Sequence, residues 1–361
     1  MNKSDFAKFR LINQHISADP FSDPRDVVNL LVAVQSQEYA SAKWALGLRL
    51  DNAIDADIEL AFTNGSILRT HLLRPTWHFV LPSDIRWLLA LTGPRVNKLN
   101  AFMYRREGLD EAILKKSQDV IASALQGGYQ FTRDELEVVL ENAGFQMKKG
   151  QYLVYILMSA ELNGVICSGA RRGKQFTYAL LDELVPKTSS FYPEEALAEL
   201  SKRYFLSRGP ASVSDFAKWS GLTKAEAGRG LKSVKGQFEK VDVDGQEYWF
   251  AEPLSPLMIT SPSVFLLSVF DEYISGYKDY SSYGDESVGE KLRQLGNALH
   301  FIIVIDGLIV GTWRRELGKH SVEIQTNLFR ELSVPESQAV RDAGQRYGKF
   351  LGIPVTFSNL P

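Results

Sequence analysis

The sequence of 361 residues contains a single cysteine, Cys167, so no disulfide can form within the chain and no cysteine-based metal cluster is available. Its five histidines are scattered and none stands in an HExxH or other paired spacing, so we predict no metal site and no cofactor. The sequence also lacks a Gly-rich phosphate loop, a dinucleotide fingerprint and a nucleophile elbow. The common motif-bearing classes of enzyme are therefore unsupported.

Long apolar runs and a basic excess are missing as well. No apolar run approaches the ~20 residues of a membrane span. The N-terminal stretch MNKSDFAKFRLINQ lacks the apolar core of a signal peptide, so we predict a cytoplasmic protein without membrane contact. Lys and Arg number 41 against 43 Asp and Glu, which gives a formal net charge of −2. If this chain binds nucleic acid, it must do so through a local basic face.

Repeated helix and hairpin signals organise the first 250 residues. Three predicted helices followed by a β-hairpin is the order of a winged helix, and this order occurs three times. The hairpins are predicted over Ser66–Leu81, around Gly169–Lys174 and at Asp244-Gly245. Later β-branched strands and a closing helix predict a smaller β-rich domain. The predicted fold class is α+β, with three tandem winged-helix units at 1–108, 109–186 and 187–252 and a β-rich domain at 253–361.

Local signals also place several helix boundaries. Asp23 as N-cap and Pro24 in the first turn open a helix that is predicted to run up to Gln35. A capping box at Thr132 opens another helix. A shorter helix is predicted over Ile85–Leu91.

Two glutamines, Gln35 and Gln37, stand between apolar stretches with only Ser36 between them. Burying a glutamine amide is costly unless it is hydrogen-bonded. One interpretation is structural, because polar residues near a helix end often satisfy backbone groups. The other is a polar site that holds a ligand by neutral hydrogen bonds.

Basic and aromatic residues cluster where a winged helix would meet DNA. The alternative is that these charges form solvated surface, that His78 is an interior histidine and that Arg69 pairs with Asp84. The carboxylates of Asp271-Glu272 and Asp279 are predicted to lie at the surface or at strand ends. The candidates for DNA contact are Arg69, Arg74, Trp77, His78, Arg105, Arg106, Arg171, Arg172, Lys174, Lys224, Arg229, Lys232, Arg314 and Arg315.

Taken together, four stretches resemble the AlkZ/YcaQ family, bacterial winged-helix proteins that include DNA glycosylases which unhook interstrand crosslinks. The resemblance spans about residues 5–350 and implies three tandem winged helices and a β-rich C-terminal domain. It also implies cleavage of the N-glycosidic bond of N7-alkylated guanine by a Gln–apolar–Gln pair, which maps onto Gln35 and Gln37, with Ser36 replacing the apolar residue. The four stretches are Gln35–Gln37, Leu68–Val80, Phe270–Asp279 and Gly311–Arg315.

The favoured hypothesis is a monofunctional DNA glycosylase that acts as a monomer on alkylated or crosslinked double-stranded DNA. A non-catalytic DNA-binding regulator is the alternative, and it would commonly dimerise to bind paired half-sites, so the mass in solution distinguishes the two. A third hypothesis is binding of structured RNA.

Overall fold

A computed structural model describes residues 3–147, 150–187, 191–251, 260–278, 281–284, 286–295 and 301–360. The chain divides into two compact units, one formed by residues 1–59 with 198–361 and the other by residues 60–197. The division into four domains given above stays a prediction. Among the helices in the described ranges, none combines the length and apolar character that crossing a bilayer demands.

Helices account for most of the regular structure, and the strands are short. The helices are α1 Lys3–Asn13, α2 Pro24–Leu31, α3 Tyr39–Gly47, α4 Asp55–Thr63, α5 Pro82–Glu107, α6 Glu111–Leu125, α7 Arg133–Asn142, α8 Tyr152–Leu162, α9 Leu181–Leu184, α10 Pro193–Arg208, α11 Val213–Ser220, α12 Lys224–Val234, α13 Glu272–Ser275, α14 Glu286–Gln294 and α15 Val334–Leu351. The strands are β1 Ala33–Gln35, β2 Leu68–Leu72, β3 Thr76–Val80, β4 Phe131–Thr132, β5 Ile166–Ser168, β6 Thr177–Leu180, β7 Glu239–Val243, β8 Gln246–Phe250, β9 Val264–Leu267, β10 Phe301–Ile305, β11 Leu308–Leu317, β12 Val322–Leu328 and β13 Val355–Ser358.

Helix α2 begins as predicted but ends earlier. The side chain of Asp23 accepts the N–H of Arg25 as N-cap, and Pro24 occupies the first turn. The chain leaves the helix at Val32, where φ is 66°, and continues as strand β1. The prediction of a helix up to Gln35 was therefore wrong. Every residue from 31 to 36 is buried, whereas a surface helix would expose one face of such a stretch.

The unit of residues 60–197 contains the β2–β3 hairpin, helices α5 to α9 and a three-stranded sheet in the order β4-β6-β5. Its core is formed by apolar residues of α6, α7 and α8, among them Ile121, Leu136 and Ile156, all fully buried. Helix α8 precedes the β5–β6 hairpin, where a recognition helix would stand, yet almost all its residues are buried. In this conformation α8 has no free face to place in a DNA groove.

Helix α5 is far longer than the predicted Ile85–Leu91, because it continues to Glu107 through Pro94. Just before that proline, Gly93 lies against α8. A Cβ at Gly93 would stand 2.3 Å from the carbonyl oxygen of Leu162, so only glycine permits this close approach. Packing against α8 supports the helix across the proline, which local sequence signals alone would take as a stop.

The other unit carries a five-stranded sheet in the order β13-β12-β11-β10-β9. The predicted turn at Asp306-Gly307 joins β10 to β11, and both residues have positive φ. Strand β13 pairs in parallel with β12 and was not predicted, since it is only four residues long. Helix α15 packs beside this sheet, with Tyr347 and Phe350 buried.

The start of α15 is held by Glu336, which gives a prediction about pH. Its carboxylate accepts from Arg330 Nη2 at 2.6 Å and forms a capping box with Ser333. The hydrogen bond from Arg330 holds the pKa of Glu336 at about 2, below its usual 4.5. Because the folded-state pKa is depressed, this contribution to stability is complete above the unfolded pKa and is lost as the pH falls toward the folded one.

We expect Glu336→Ala to lower the free energy of unfolding by about 1 kcal/mol at neutral pH. The difference from wild type should shrink as the pH falls from about 5 to about 3. Urea unfolding at several pH values measures it. A difference that stays constant over that range would show that the ionised carboxylate is not what stabilises the helix start.

Candidate functional site

Gln35 and Gln37 lie between strand β1 and helix α3. Gln35 ends the strand and is 7% exposed, whereas Gln37 is exposed. Glu38 follows at once as the N-cap of α3, and its Oε2 accepts the backbone N–H of Ser41 at 2.8 Å. Of the two amides, Gln37 is thus the one presented to solvent, and Gln35 lies beneath it in the protein.

The backbone of Gln35 is attached to a buried ion pair. Its N–H donates to Glu272 Oε1 at 3.1 Å, and Glu272 Oε2 accepts from Arg208 Nη2 at 2.7 Å and from Trp219 Nε1 at 2.8 Å. Glu272, Arg208 and Trp219 are fully buried. The guanidinium of Arg208 also lies 4.3 Å from the centroid of the Trp219 ring system.

A second buried ion pair lies next to the first. Arg49 donates to both oxygens of Asp271, at 3.0 and 2.9 Å, and the same guanidinium donates to the carbonyls of Gln14 and Ala45. Asp271 also N-caps α13. The prediction that Asp271 and Glu272 lie at the surface was therefore wrong. Asp279, the third carboxylate of that prediction, lies outside the described residues.

Arginines of strand β11 lie near the start of α3. Arg315 Nη2 is 3.4 Å from Glu38 Oε2, and Nη1 of the same residue donates to the hydroxyl of Tyr347. Burial raises the pKa of that hydroxyl, although the charge of Arg315 opposes the shift. Arg314 points the other way along the strand and is exposed. Positive charge thus flanks the segment that carries Gln37.

The candidates in the β2–β3 hairpin are mostly covered. His78 is fully buried with Nδ1 2.9 Å from the carbonyl oxygen of Thr76, so it is an interior histidine, as the structural alternative proposed. Arg69 is 4% exposed, and its guanidinium lies 4.4 Å from the ring centroids of both Trp77 and Phe176. Trp77 and Arg74 are half-buried. A role of these residues in DNA contact stays a prediction.

Sequence analysis overlooked a buried acid in the same region. Glu161 is fully buried, accepts Trp77 Nε1 at 3.3 Å and pairs with His71 Nδ1. Its charge and, above all, burial raise the pKa of Cys167 to about 12, so the thiol stays protonated. Nothing in the spacing of these residues signals the cluster.

The remaining candidates divide by exposure. Arg171 is half-buried, 5.2 Å from the Phe176 ring, and Arg172 is exposed but pairs with Glu135 at 2.6 Å. Helix α12 turns an exposed cationic face outward, with small residues between the charges. The candidates with exposed side chains are Arg105, Arg106, Arg172, Lys174, Lys224, Arg229, Lys232 and Arg314.

A model of the family "DNA glycosylase AlkZ-like" matches residues 28–350 of this chain. The chain belongs to the AlkZ-like DNA glycosylase family. A similar protein is the interstrand DNA cross-link repair glycosylase of Streptomyces sahachiroi. It is 26% identical over 313 residues, which is 81% of this chain and 84% of that protein. The structure of the DNA glycosylase AlkZ from the same organism matches with a TM-score of 0.83 at 21% identity, covering 99% of this chain and 100% of that one.

Membership of the AlkZ-like family decides between the hypotheses that the sequence left open. It favours a DNA glycosylase over a non-catalytic regulator and makes DNA the partner and substrate class. The fold match confirms a mixed helix and sheet architecture, while the number of winged-helix units stays a prediction. In the parts of the chain that the structure describes, no three His, Cys, Asp or Glu side chains come together as metal ligands.

Proposed function

We propose that this AlkZ-like protein hydrolyses the N-glycosidic bond of an N7-alkylated purine in duplex DNA, including a purine that belongs to an interstrand crosslink. We assign the reacting position to Gln37, with Gln35 below it. The observation that carries this assignment is the contrast between them: an exposed amide stands two residues beyond an amide whose backbone is tied to a buried ion pair. Fixed polar groups of this kind stabilise transition states without reorganising.

The chemistry suits a neutral amide. A purine alkylated at N7 is already cationic, so it can leave without a strong acid. The bond between C1′ and N9 breaks, its electron pair neutralises the base, and the sugar develops oxocarbenium character. The side-chain oxygen of Gln37 can stabilise that positive charge or orient the attacking water. Water then adds to C1′ and releases a proton to solvent, which leaves an abasic site and a free base.

The exposure of Gln37 also bears on the size of the substrate. Enzymes that extrude a base completely place it in an enclosed pocket, at a cost of a few kcal/mol. A crosslinked base cannot swing out fully, because it stays bonded to the opposite strand. An amide at the surface beside Arg315 can approach such a lesion from outside. We therefore include crosslinks, as well as simple N7-alkyl purines, in the proposed substrate class.

We further propose that the protein works as a cytoplasmic monomer. Three winged-helix units in one chain supply several DNA contacts without a partner subunit. In the second unit the contact would come from the wing at Arg171–Lys174, because α8 is buried. In the third unit it would come from helix α12.

The test is an excision assay with two duplexes, one containing N7-methylguanine and one containing a nitrogen-mustard crosslink. Excess enzyme should release the alkylated base from the first. With the second it should convert crosslinked DNA into separable strands on a denaturing gel. Failure on both duplexes at concentrations that bind them fully would refute the proposed activity. Release from the first duplex alone would remove crosslinks from the substrate class.

Helix α12 gives a prediction about DNA binding. Lys224, Arg229 and Lys232 are exposed on this helix, and Lys or Arg contacts to phosphate release counterions. We expect the double substitution Arg229→Ala, Lys232→Ala to weaken binding equally for unrelated duplex sequences. It should reduce the slope of log K against log salt by about 1 per lost contact.

The matched control is Lys115→Ala on α6, an exposed lysine whose charge is already paired with Asp119 at 2.6 Å. This variant should leave the salt slope unchanged. Fluorescence anisotropy at several salt concentrations measures both. An unaltered slope in the α12 variant would remove this helix from the DNA interface.

A further inference from the structure

The segment between α2 and Gln35 is held at both ends by one buried ion pair. Arg208 Nη2 donates to the carbonyl oxygen of Leu31 at 3.0 Å, and Glu272 Oε1 accepts the N–H of Gln35 at 3.1 Å. Arg208 and Glu272 are joined to each other at 2.7 Å. We call this arrangement, formed by Arg208 and Glu272, the buried clamp. We infer that Glu272 is a positioning residue, which fixes the path of residues 31–35 and so places the amide of Gln37.

The backbone on both sides of the clamp is strained. Val32 has φ 66° and Phe270 has φ 60°, values that bulky side chains rarely adopt. Val32 lies between the two residues held by the clamp, and Phe270 lies two residues before Glu272. Strain of this kind persists only where the surroundings enforce it, and it concentrates at functional sites. The clamp supplies the enforcing contacts.

Stability alone is a poor explanation of this arrangement. Replacing a buried ion pair with apolar residues of similar size is often neutral or stabilising, so such a pair is weak evidence for stability. A pair that receives a backbone N–H from a residue 237 positions away instead specifies one conformation. The indole N–H of Trp219 and the guanidinium of Arg208 share Oε2, which leaves Oε1 aimed at Gln35.

This inference rests on the proposed function, and its test separates the two. In Glu272→Gln the side-chain NH₂ must face either the N–H of Gln35 or the donors of Arg208 and Trp219, so one side of the clamp is lost. We expect the single-turnover rate of N7-methylguanine release to fall about 100-fold, the effect of misplacing a catalytic group by about 1 Å. The dissociation constant for the same duplex should stay within about twofold, because Glu272 is buried and cannot touch DNA.

Asp215→Asn is the matched control. Asp215 is also a buried carboxylate that accepts the backbone N–H of a distant residue, Lys278, at 2.8 Å. Its replacement should destabilise the protein without changing the rate of release from folded enzyme. If both variants slow the reaction equally, Glu272 has only a structural role and the inference is wrong.

Hydrogen exchange of the peptide that contains Gln35 and Gln37 gives a readout that does not need catalysis. Exchange of its backbone amides should accelerate in Glu272→Gln and not in Asp215→Asn. If wild type releases no base, the proposed function fails, and this measurement still decides whether the clamp exists. If wild type is active and Glu272→Gln is equally active, the proposed function stands and the clamp is refuted.

A milder variant covers the case in which Glu272→Gln does not fold. Trp219→Phe removes the indole donor to Oε2 and keeps an aromatic ring over Arg208. Losing one hydrogen bond of the clamp should reduce the rate about threefold and accelerate exchange at Gln35. Wild-type values for both quantities would contradict the inference.

Discussion

Gln37→Ala is expected to lower the single-turnover rate of base release about 100-fold or more, with DNA binding kept. The magnitude is that of removing one preorganised polar group from a transition state. Gln37 is exposed, so its truncation leaves neither a cavity nor a buried unpaired group. The rate is measured with enzyme in excess over a duplex containing N7-methylguanine, and binding is measured on the same duplex.

Gln345→Ala, which truncates an exposed glutamine on α15, serves as the control and should retain the wild-type rate. Gln35→Ala should also slow release, but Gln35 is 7% exposed, so its folded fraction must be measured first. If Gln37→Ala and Gln35→Ala both release base at the wild-type rate, the glutamine pair has no part in the reaction.

Asp271→Ala is expected to lower the free energy of unfolding by about 3–5 kcal/mol, the largest stability effect that we predict. The substitution leaves the guanidinium of Arg49 buried and without its bidentate carboxylate partner. It also removes the N-cap of α13. Urea unfolding at neutral pH gives the change.

An exposed pair provides the comparison. Lys115 and Asp119 are four residues apart on α6, and their side chains are 71% and 61% exposed. Asp119→Ala should cost less than about 0.5 kcal/mol, because solvent screens such pairs. Equal losses for the two aspartates would contradict a strongly coupled buried pair at Arg49.

Elements set by local chemistry were predictable from the sequence. Helix α4 spans the predicted Asp55–Thr63, the Thr132 capping box opens α7, and the turn at Asp244-Gly245 joins β7 to β8. These features depend on residues within a few positions of one another. The end of α2 and the length of α5 depend instead on tertiary contacts, at Gln35 and at Gly93, which no local pattern contains.

The candidate site was predictable in part, for the same reason. Gln35 and Gln37 were conspicuous as polar residues in an apolar stretch, and the family resemblance assigned them a role. Glu272 is 237 residues from the amide it binds, so periodicity and spacing could not connect the two. His78 shows the opposite limit, because a polar residue in a basic hairpin looked accessible and is fully buried. Burial is a property of the whole fold.

The most direct test of the central claim is the mass of the lesion strand after incubation with excess enzyme. If fixed neutral amides promote hydrolysis of the N-glycosidic bond, the strand should lose N7-methylguanine, gain the elements of water and remain unbroken. Free N7-methylguanine should appear in equal amount. A strand that keeps its full mass while the duplex is saturated with protein would contradict the account.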